Sequence, residues 1–101
     1  MKLPHLVSFL QDHTTEKTIV YFLTCACVDF VSAVLPRLPQ CKMLSVKALH
    51  GKMKQAARAA TLSSFAEAPS GVLLCTDVAA RGLDIPDVQW IVQFDPPQAS
   101  C

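Results

Sequence analysis

Four groups that can do chemistry fall within the nine residues Thr76 to Asp84: the hydroxyl of Thr76, the carboxylates of Asp77 and Asp84, and the guanidinium of Arg81. They follow Val72-Leu73-Leu74-Cys75, an apolar run of the kind that forms a strand buried on both faces. A strand that ends this way delivers all four groups to one edge of a sheet. The small pair Ala79-Ala80 lets the following turn pack tightly, and Gly82 permits the chain to reverse and leaves room for a ligand. The plainer alternative is a helix cap with an Arg–Asp ion pair. A second group is cationic. Lys42, Lys47, Lys52, Lys54 and Arg58 lie within seventeen residues that contain no acid. From Ala59 onward one base, Arg81, stands against Glu67, Asp77, Asp84, Asp87 and Asp95. A basic segment at the mouth of a sheet can hold phosphates, and its alternative is a solvated helix face.

The elements that must position these groups follow from apolar spacing. Leu3, Leu6, Val7 and Leu10 predict an amphipathic helix over Lys2 to His13. Thr18 to Leu23 predicts a buried strand, and Thr24 is placed to cap a helix over Cys25 to Leu35 that Pro36 and Pro39 end. Val28, Val31, Val34 and Leu35 share that helix's inner face. Met43 to Leu49 predicts a second strand, His50 to Met53 a loop, and Gln55 to Phe65 a helix with Leu62 and Phe65 inward. Val72 to Cys75 is a third strand, Asp77 to Arg81 a short helical turn, and Val88 to Phe94 a fourth strand stopped by Pro96-Pro97. Strands alternating with helices imply an α/β fold with a parallel sheet and helices on both faces. Ligands in such folds collect at the carboxyl ends of the strands, here Thr24-Cys25, His50-Gly51, Thr76-Asp77 and Asp95-Pro96.

Composition bounds the function. The chain has 101 residues, 51% hydrophobic and 17% charged, which suits one core-forming domain and not a disordered segment. A net charge of +1 excludes a strongly basic nucleic-acid arm. The longest uncharged run, Thr18 to Val28, is too short for a bilayer span, and no leader sequence is readable, so no membrane association is expected. Five cysteines at irregular spacing do not form a disulfide framework, and Cys25-Ala26-Cys27 has the wrong spacing for a zinc knuckle. Cys25, Cys27 and Cys75 are expected to pack as small hydrophobes in a reducing compartment.

Residues Val72 to Ile85 resemble motif V of the DEAD-box ATP-dependent RNA helicases, an apolar run followed by T-D-V-A-A-R-G-L-D. Other signatures of that family follow in order. Ile19-Val20-Tyr21 with Thr24 resembles motif IV, and Leu49-His50-Gly51 with Gln55 and Arg58 resembles the HG loop and the Q-x-x-R motif. Asp87 through Phe94, then Asp95-Pro96-Pro97, resembles the strand after motif V. The resemblance covers almost the whole chain. Cys25-Ala26-Cys27-Val28 and His50-Gly51-Lys52-Met53 look most like the nucleolar helicases of large-ribosomal-subunit assembly, which implies a nuclear, nucleolar location, with cytoplasm as the alternative.

The resemblance implies a three-layer RecA-like domain with a parallel sheet of at least four strands, incomplete at both ends. Residues 1–101 would be part of the second of two such domains that close around ATP and RNA. It implies that Thr76 and Arg58 contact RNA phosphates, that Thr24, Gly51 and Gln55 complete the track, and that Asp84 binds the ATP ribose. Tyr21 and Arg81 are expected at the interdomain cleft. Backbone contacts of this kind make RNA recognition tolerant of sequence. Departures are a tyrosine at position 21 where the family places Phe, and Cys25 where a base usually follows the threonine. Motif VI, H-R-x-G-R-x-x-R, does not follow Pro97, and no G-x-x-x-x-G-K-[ST] phosphate loop occurs. The arginine finger, the Mg²⁺ carboxylates and the catalytic base would therefore belong to parts outside these residues, and this chain alone is expected not to hydrolyse ATP. Two rival readings remain at this point. One is a standalone RNA- or protein-binding module. The other is a phosphatase, because Cys75 to Arg81 also matches the C-x5-R spacing of tyrosine phosphatases.

Overall fold

The computed structural model describes residues 3–41, 44–49, 54–76 and 88–94. Helix α1 spans Leu3–Asp12, strand β1 Lys17–Phe22 and helix α2 Cys25–Val34. Two short 3₁₀ turns, Leu35–Arg37 and Pro39–Cys41, carry the chain toward β2, Val46–Leu49. Helix α3 is Gln55–Glu67, β3 is Gly71–Thr76 and β4 is Val88–Phe94. The four strands form one sheet in the order β2-β3-β1-β4, and every pairing is parallel. This is the parallel sheet that strand–helix alternation predicts, and it is reached by crossovers in both directions.

Alternation of side chains along the strands divides the core into two layers. Val20 and Phe22 of β1, Val72 and Leu74 of β3 and Val92 and Phe94 of β4 face α1 and α2, where they meet Leu6, Leu10, Val28, Val31 and Leu35. Ile19, Leu49, Leu73 and Cys75 face the other way and enclose Phe65 of α3, with Tyr21, Leu62 and Val88 packed around them. The two sides differ in strength. Helix α2 buries Cys27, Val28 and Val31, whereas α3 buries Phe65 alone. All six residues of β3 are buried, as its apolar run predicts.

Most elements lie where the sequence puts them, to within a few residues. β2 begins at Val46 and is shorter than the predicted Met43 to Leu49. Ser45 still joins the ladder, because its carbonyl accepts from the Val72 N–H at 2.8 Å. The predicted helical turn Asp77 to Arg81 and the loop His50 to Met53 lie outside the described residues. Cys27 packs in the apolar core as expected, but it is disulfide-bonded and not the free thiol expected from the sequence. β4 contains a bulge: Val88 pairs with Lys17 but Trp90 pairs with Thr18, so Gln89 is the extra residue. Its side-chain Oε1 accepts from the Lys17 N–H at 2.7 Å and keeps that backbone group satisfied.

Candidate functional site

The carboxyl edge of the sheet gathers the described members of the predicted set. β1 ends at Phe22, which pairs with Thr76, the last residue of β3. Leu49, the last residue of β2, pairs with Cys75. Three adjacent strands therefore end side by side. After β1 the chain goes to β2 on one side, and after β3 it goes to β4 on the other side. The crevice at β1 and β3 is thus a topological switch point, the place where open α/β sheets bind ligands.

Thr24 sits at this edge, exposed, as the cap of α2. Its backbone is extended, with φ −132° and ψ 155°, and its Oγ1 accepts from the Cys27 N–H at 3.2 Å. The Thr24 carbonyl accepts from Val28 N–H at 3.3 Å, the first turn of the helix. The capping bond uses the hydroxyl as an acceptor and leaves its proton able to donate outward. The N–H groups of Cys25 and Ala26 have no partner within the helix by position, and no acid occupies its first turn. Thr76 is 6% exposed, set back into the crevice beside the end of β1.

Helix α3 brings the third contribution. Crossover helices run antiparallel to their strands, so the N-terminus of α3 lies at the same edge. Lys54 caps it in an extended conformation without a side-chain hydrogen bond, and its first turn carries no acid. Such an end presents N–H donors and a positive dipole to an anion. Gln55 is exposed at the first helical position. Arg58 stands one turn further and is half-buried. Its Nε is buried with no hydrogen-bond partner among the described residues. A buried guanidinium N–H without an acceptor is costly unless a ligand supplies one. Of the remaining cluster, Lys54 is exposed and Lys47 is half-buried in β2, while Lys42 and Lys52 lie outside the described residues.

Tyr21 is half-buried on the α3 side of β1, beside Cys75 and Gln93 in the register. Gly51, Arg81 and Asp84 lie outside the described residues. The C-x5-R reading fails on burial. Cys75 is 0% exposed and its side chain belongs to the apolar cluster around Phe65. A nucleophilic thiol would have to leave that core to reach phosphorus. Among the described residues there is no group of three or more His, Cys, Asp or Glu that could hold a metal ion, and no helix is long and apolar enough to cross a membrane.

The opposite, amino edge holds what sequence reasoning missed. Lys17 is 2% exposed, and its Nζ donates to the Ala66 carbonyl at 2.7 Å. Nearby, Glu16 accepts from Trp90 Nε1 at 3.1 Å and pairs with His13 Nδ1 at 2.7 Å. The His13 bond, then the Trp90 bond, hold the Glu16 carboxyl below its ordinary range. Phe9, His13 and Trp90 form one aromatic cluster, with ring centroids 4.3 to 5.5 Å apart. A lysine just ahead of an apolar run carries no sequence signal of burial, because lysine at such a position is usually solvated.

Comparison with known proteins agrees with the fold. The family described as helicase conserved C-terminal domain matches residues 1–100. A DEAD-box ATP-dependent RNA helicase 49 of Arabidopsis thaliana is 54% identical over 97 residues, 96% of this chain and 17% of the relative. The ATP-dependent RNA helicase HAS1 of Phaeosphaeria nodorum is 51% identical over 92 residues, 91% of this chain and 14% of that protein. Among solved structures, the Mss116p DEAD-box helicase domain 2 bound to an RNA duplex superimposes with a TM-score of 0.76 at 31% identity, over 89% of this chain and 35% of the other. The chain thus spans less than a fifth of the length of these two curated relatives.

Proposed function

We propose, from the premise that this chain belongs to the DEAD-box RNA helicases and forms part of their C-terminal RecA-like domain, that its carboxyl edge holds the phosphate backbone of RNA. The observation that carries this reading is the convergence of Thr24, Thr76 and the uncapped N-terminus of α3 on three adjacent strand ends, with Arg58 Nε buried and lacking an acceptor among the described residues. A hydroxyl, helix N–H groups and a guanidinium all recognise phosphate oxygens without reading a base. Gln55 and Gly51 extend the same track. That the Mss116p domain 2 structure contains an RNA duplex supports the reading by analogy.

The rest of the machinery is assigned on the family resemblance. Asp84 accepts a hydrogen bond from the ATP ribose and Arg81 lines the cleft facing the first RecA-like domain, as does Tyr21. ATP and Mg²⁺ belong to the two-domain enzyme, with Mg²⁺ held by the first domain. In the assembled helicase, residues 1–101 supply RNA contacts and one wall of the nucleotide cleft, and alone they do not hydrolyse ATP. The segments Cys25 to Val28 and His50 to Met53 support a place in ribosome biogenesis in the nucleolus.

Arg58→Ala tests the central reading. In the full-length helicase that carries this segment, it should weaken single-stranded RNA binding by about 1.5–3 kcal/mol, the range for a hydrogen bond to a charged group. The slope of log K against log salt should shrink by roughly 0.7 for the lost single-strand phosphate contact. Nucleotide affinity without RNA should not move. An unchanged RNA affinity and salt slope would remove the phosphate role from Arg58.

A further inference from the structure

The lysine at the amino edge carries a consequence for the RNA-binding edge on the far side of the sheet. Helix α3 is thirteen residues long, rich in alanine and serine, and has one fully buried side chain, Phe65. Its N-terminus has no side-chain cap. A helix so lightly held needs another restraint if it is to present an arginine at a fixed place. That restraint is at its other end. Lys17 Nζ donates to the Ala66 carbonyl at 2.7 Å and lies 5.4 Å from the centroid of the Phe65 ring. Ala66 is in the last turn of α3, where carbonyls lack helical partners and the dipole is negative. Lys17 is itself fixed, paired to Gly71 on one side and Val88 on the other, with its N–H bonded to Gln89.

We propose that Lys17 is a positioning residue for RNA, tying the C-terminal end of α3 to the sheet and so holding Arg58 at the carboxyl edge. The inference rests on the RNA reading of Arg58 given above. Lys17 does not touch RNA itself, since β1 separates it from the carboxyl edge by about 17 Å at 3.3 Å per residue. Arg58 stands seven residues from Phe65, about 10 Å along the helix axis. Without the lysine the helix pivots on Phe65, and a tilt of roughly 10° moves Arg58 by about 2 Å, enough to break a hydrogen bond. An apolar side chain at position 17 would fill the same layer without burying a polar head. What the lysine adds is a directed bond to one end of one helix.

The test uses Lys17→Met, which keeps the buried stem and removes the amino group, and Lys17→Arg, which keeps a donor, in the full-length helicase that carries this segment. Binding of oligouridylate with a saturating non-hydrolysable ATP analogue should weaken roughly tenfold in Lys17→Met, a loss comparable to one charge-assisted hydrogen bond. The salt slope should stay near the wild-type value, because a shift of about 2 Å breaks the directional hydrogen bond while the guanidinium charge remains close enough to the phosphate to displace its counterion. Amides of α3 should exchange faster while those of β1 and β3 keep their protection, and Lys17→Arg should recover most of both. In an Arg58→Ala background Lys17→Met should add less than about twofold, because both act through one contact. Full additivity there, a shallower salt slope, or unchanged α3 exchange would each overturn the proposal. A uniform loss of protection across the sheet with normal RNA affinity would make Lys17 a stability residue and overturn it as well. If Arg58→Ala alone left RNA affinity intact, the RNA reading would be what failed. Faster α3 exchange in Lys17→Met would then still establish the anchor, and unchanged exchange would overturn it too.

Discussion

Thr24 has two tasks that one substitution can separate. Its Oγ1 accepts from Cys27 N–H and caps α2, and its hydroxyl proton is proposed to donate to an RNA phosphate. Thr24→Ala removes both at once and so cannot tell them apart. Thr24→Asp can. Aspartate caps helices at least as well as threonine, and its charge complements the N-terminal dipole by about 0.3–1 kcal/mol. Yet it donates nothing and places a negative charge where a phosphate should sit. Loss of a hydrogen bond to a charged group costs about 1.5 kcal/mol, and repulsion at ~5 Å in water adds ~0.8 kcal/mol. Together these predict RNA binding weaker by roughly 2 kcal/mol, about thirtyfold.

The corresponding unfolding result has the opposite sign. Thr24→Ala should lower stability by about 1 kcal/mol, the usual loss of an N-cap, whereas Thr24→Asp should match or slightly exceed wild type. Thr24→Ser should resemble wild type in both measurements, since it keeps the acceptor and the donor. Fluorescence anisotropy with labelled single-stranded RNA reports the binding, and urea midpoints report the stability. The reasoning would be refuted by a Thr24→Asp variant that binds RNA like wild type, because no donor role at this hydroxyl survives that result. An Asp variant as unstable as the Ala variant would refute the capping half.

Three further outcomes follow from the packing and the charges. Phe65→Ala should cost about 3–5 kcal/mol in urea unfolding and release α3 from exchange protection, since no other α3 side chain is fully buried; a loss below 1 kcal/mol would contradict that core. Gly71→Ala should lower the melting temperature, because φ is +144° and a Cβ would stand 3.0 Å from the Ser45 carbonyl oxygen; an unchanged melting temperature would argue against that conformation. Glu16 titrates below its ordinary 4.5 when folded, so its contribution is complete above the unfolded value and is lost as pH falls below about 4.5 through the folded value. Glu16→Gln should flatten that part of the acid unfolding curve, and a variant curve parallel to wild type would sink the assignment.

Periodicity and propensity are enough to place α1, α2, β1 and β3, because each has a strong apolar face or a buried run, whereas the half-buried β2 starts three residues later than they predict. They also identify Thr24 as a cap, since a hydroxyl between an apolar strand and an apolar helix has few other uses. Other features were illegible for physical reasons. The bulge at Gln89 leaves no trace in a heptapeptide that reads equally well as a regular strand. The burial of Lys17 runs against the ordinary behaviour of lysine, and only the carbonyl of Ala66, far off in sequence, makes it tolerable. Arg58 could be placed on a helix from sequence, but not the burial of its Nε, which depends on how α3 leans against the sheet.

The two edges of this sheet are built on different principles. At the amino edge nearly every polar group named here is spent inside the protein: Lys17 on Ala66 and Gln89, Glu16 on His13 and Trp90, Gly71 N–H on the Glu16 carbonyl, Val72 N–H on Ser45. Saturation of that kind fixes geometry and leaves little for a ligand. At the carboxyl edge the pattern reverses. Thr24 keeps a donor in reserve, α3 begins without a side-chain cap, and Arg58 buries an N–H that finds no acceptor among the described residues. Each of these is a small destabilisation that a phosphate bound as proposed would relieve. The contrast has one exception, the buried Thr18 hydroxyl beside Lys17, which has no partner among the described residues; otherwise the amino edge spends its donors within the protein, while the carboxyl edge keeps them for the proposed phosphate ligand. Substitutions at Lys17 or Gly71 should therefore act on RNA only through the geometry of the sheet and α3, whereas those at Thr24 or Arg58 should act on it directly.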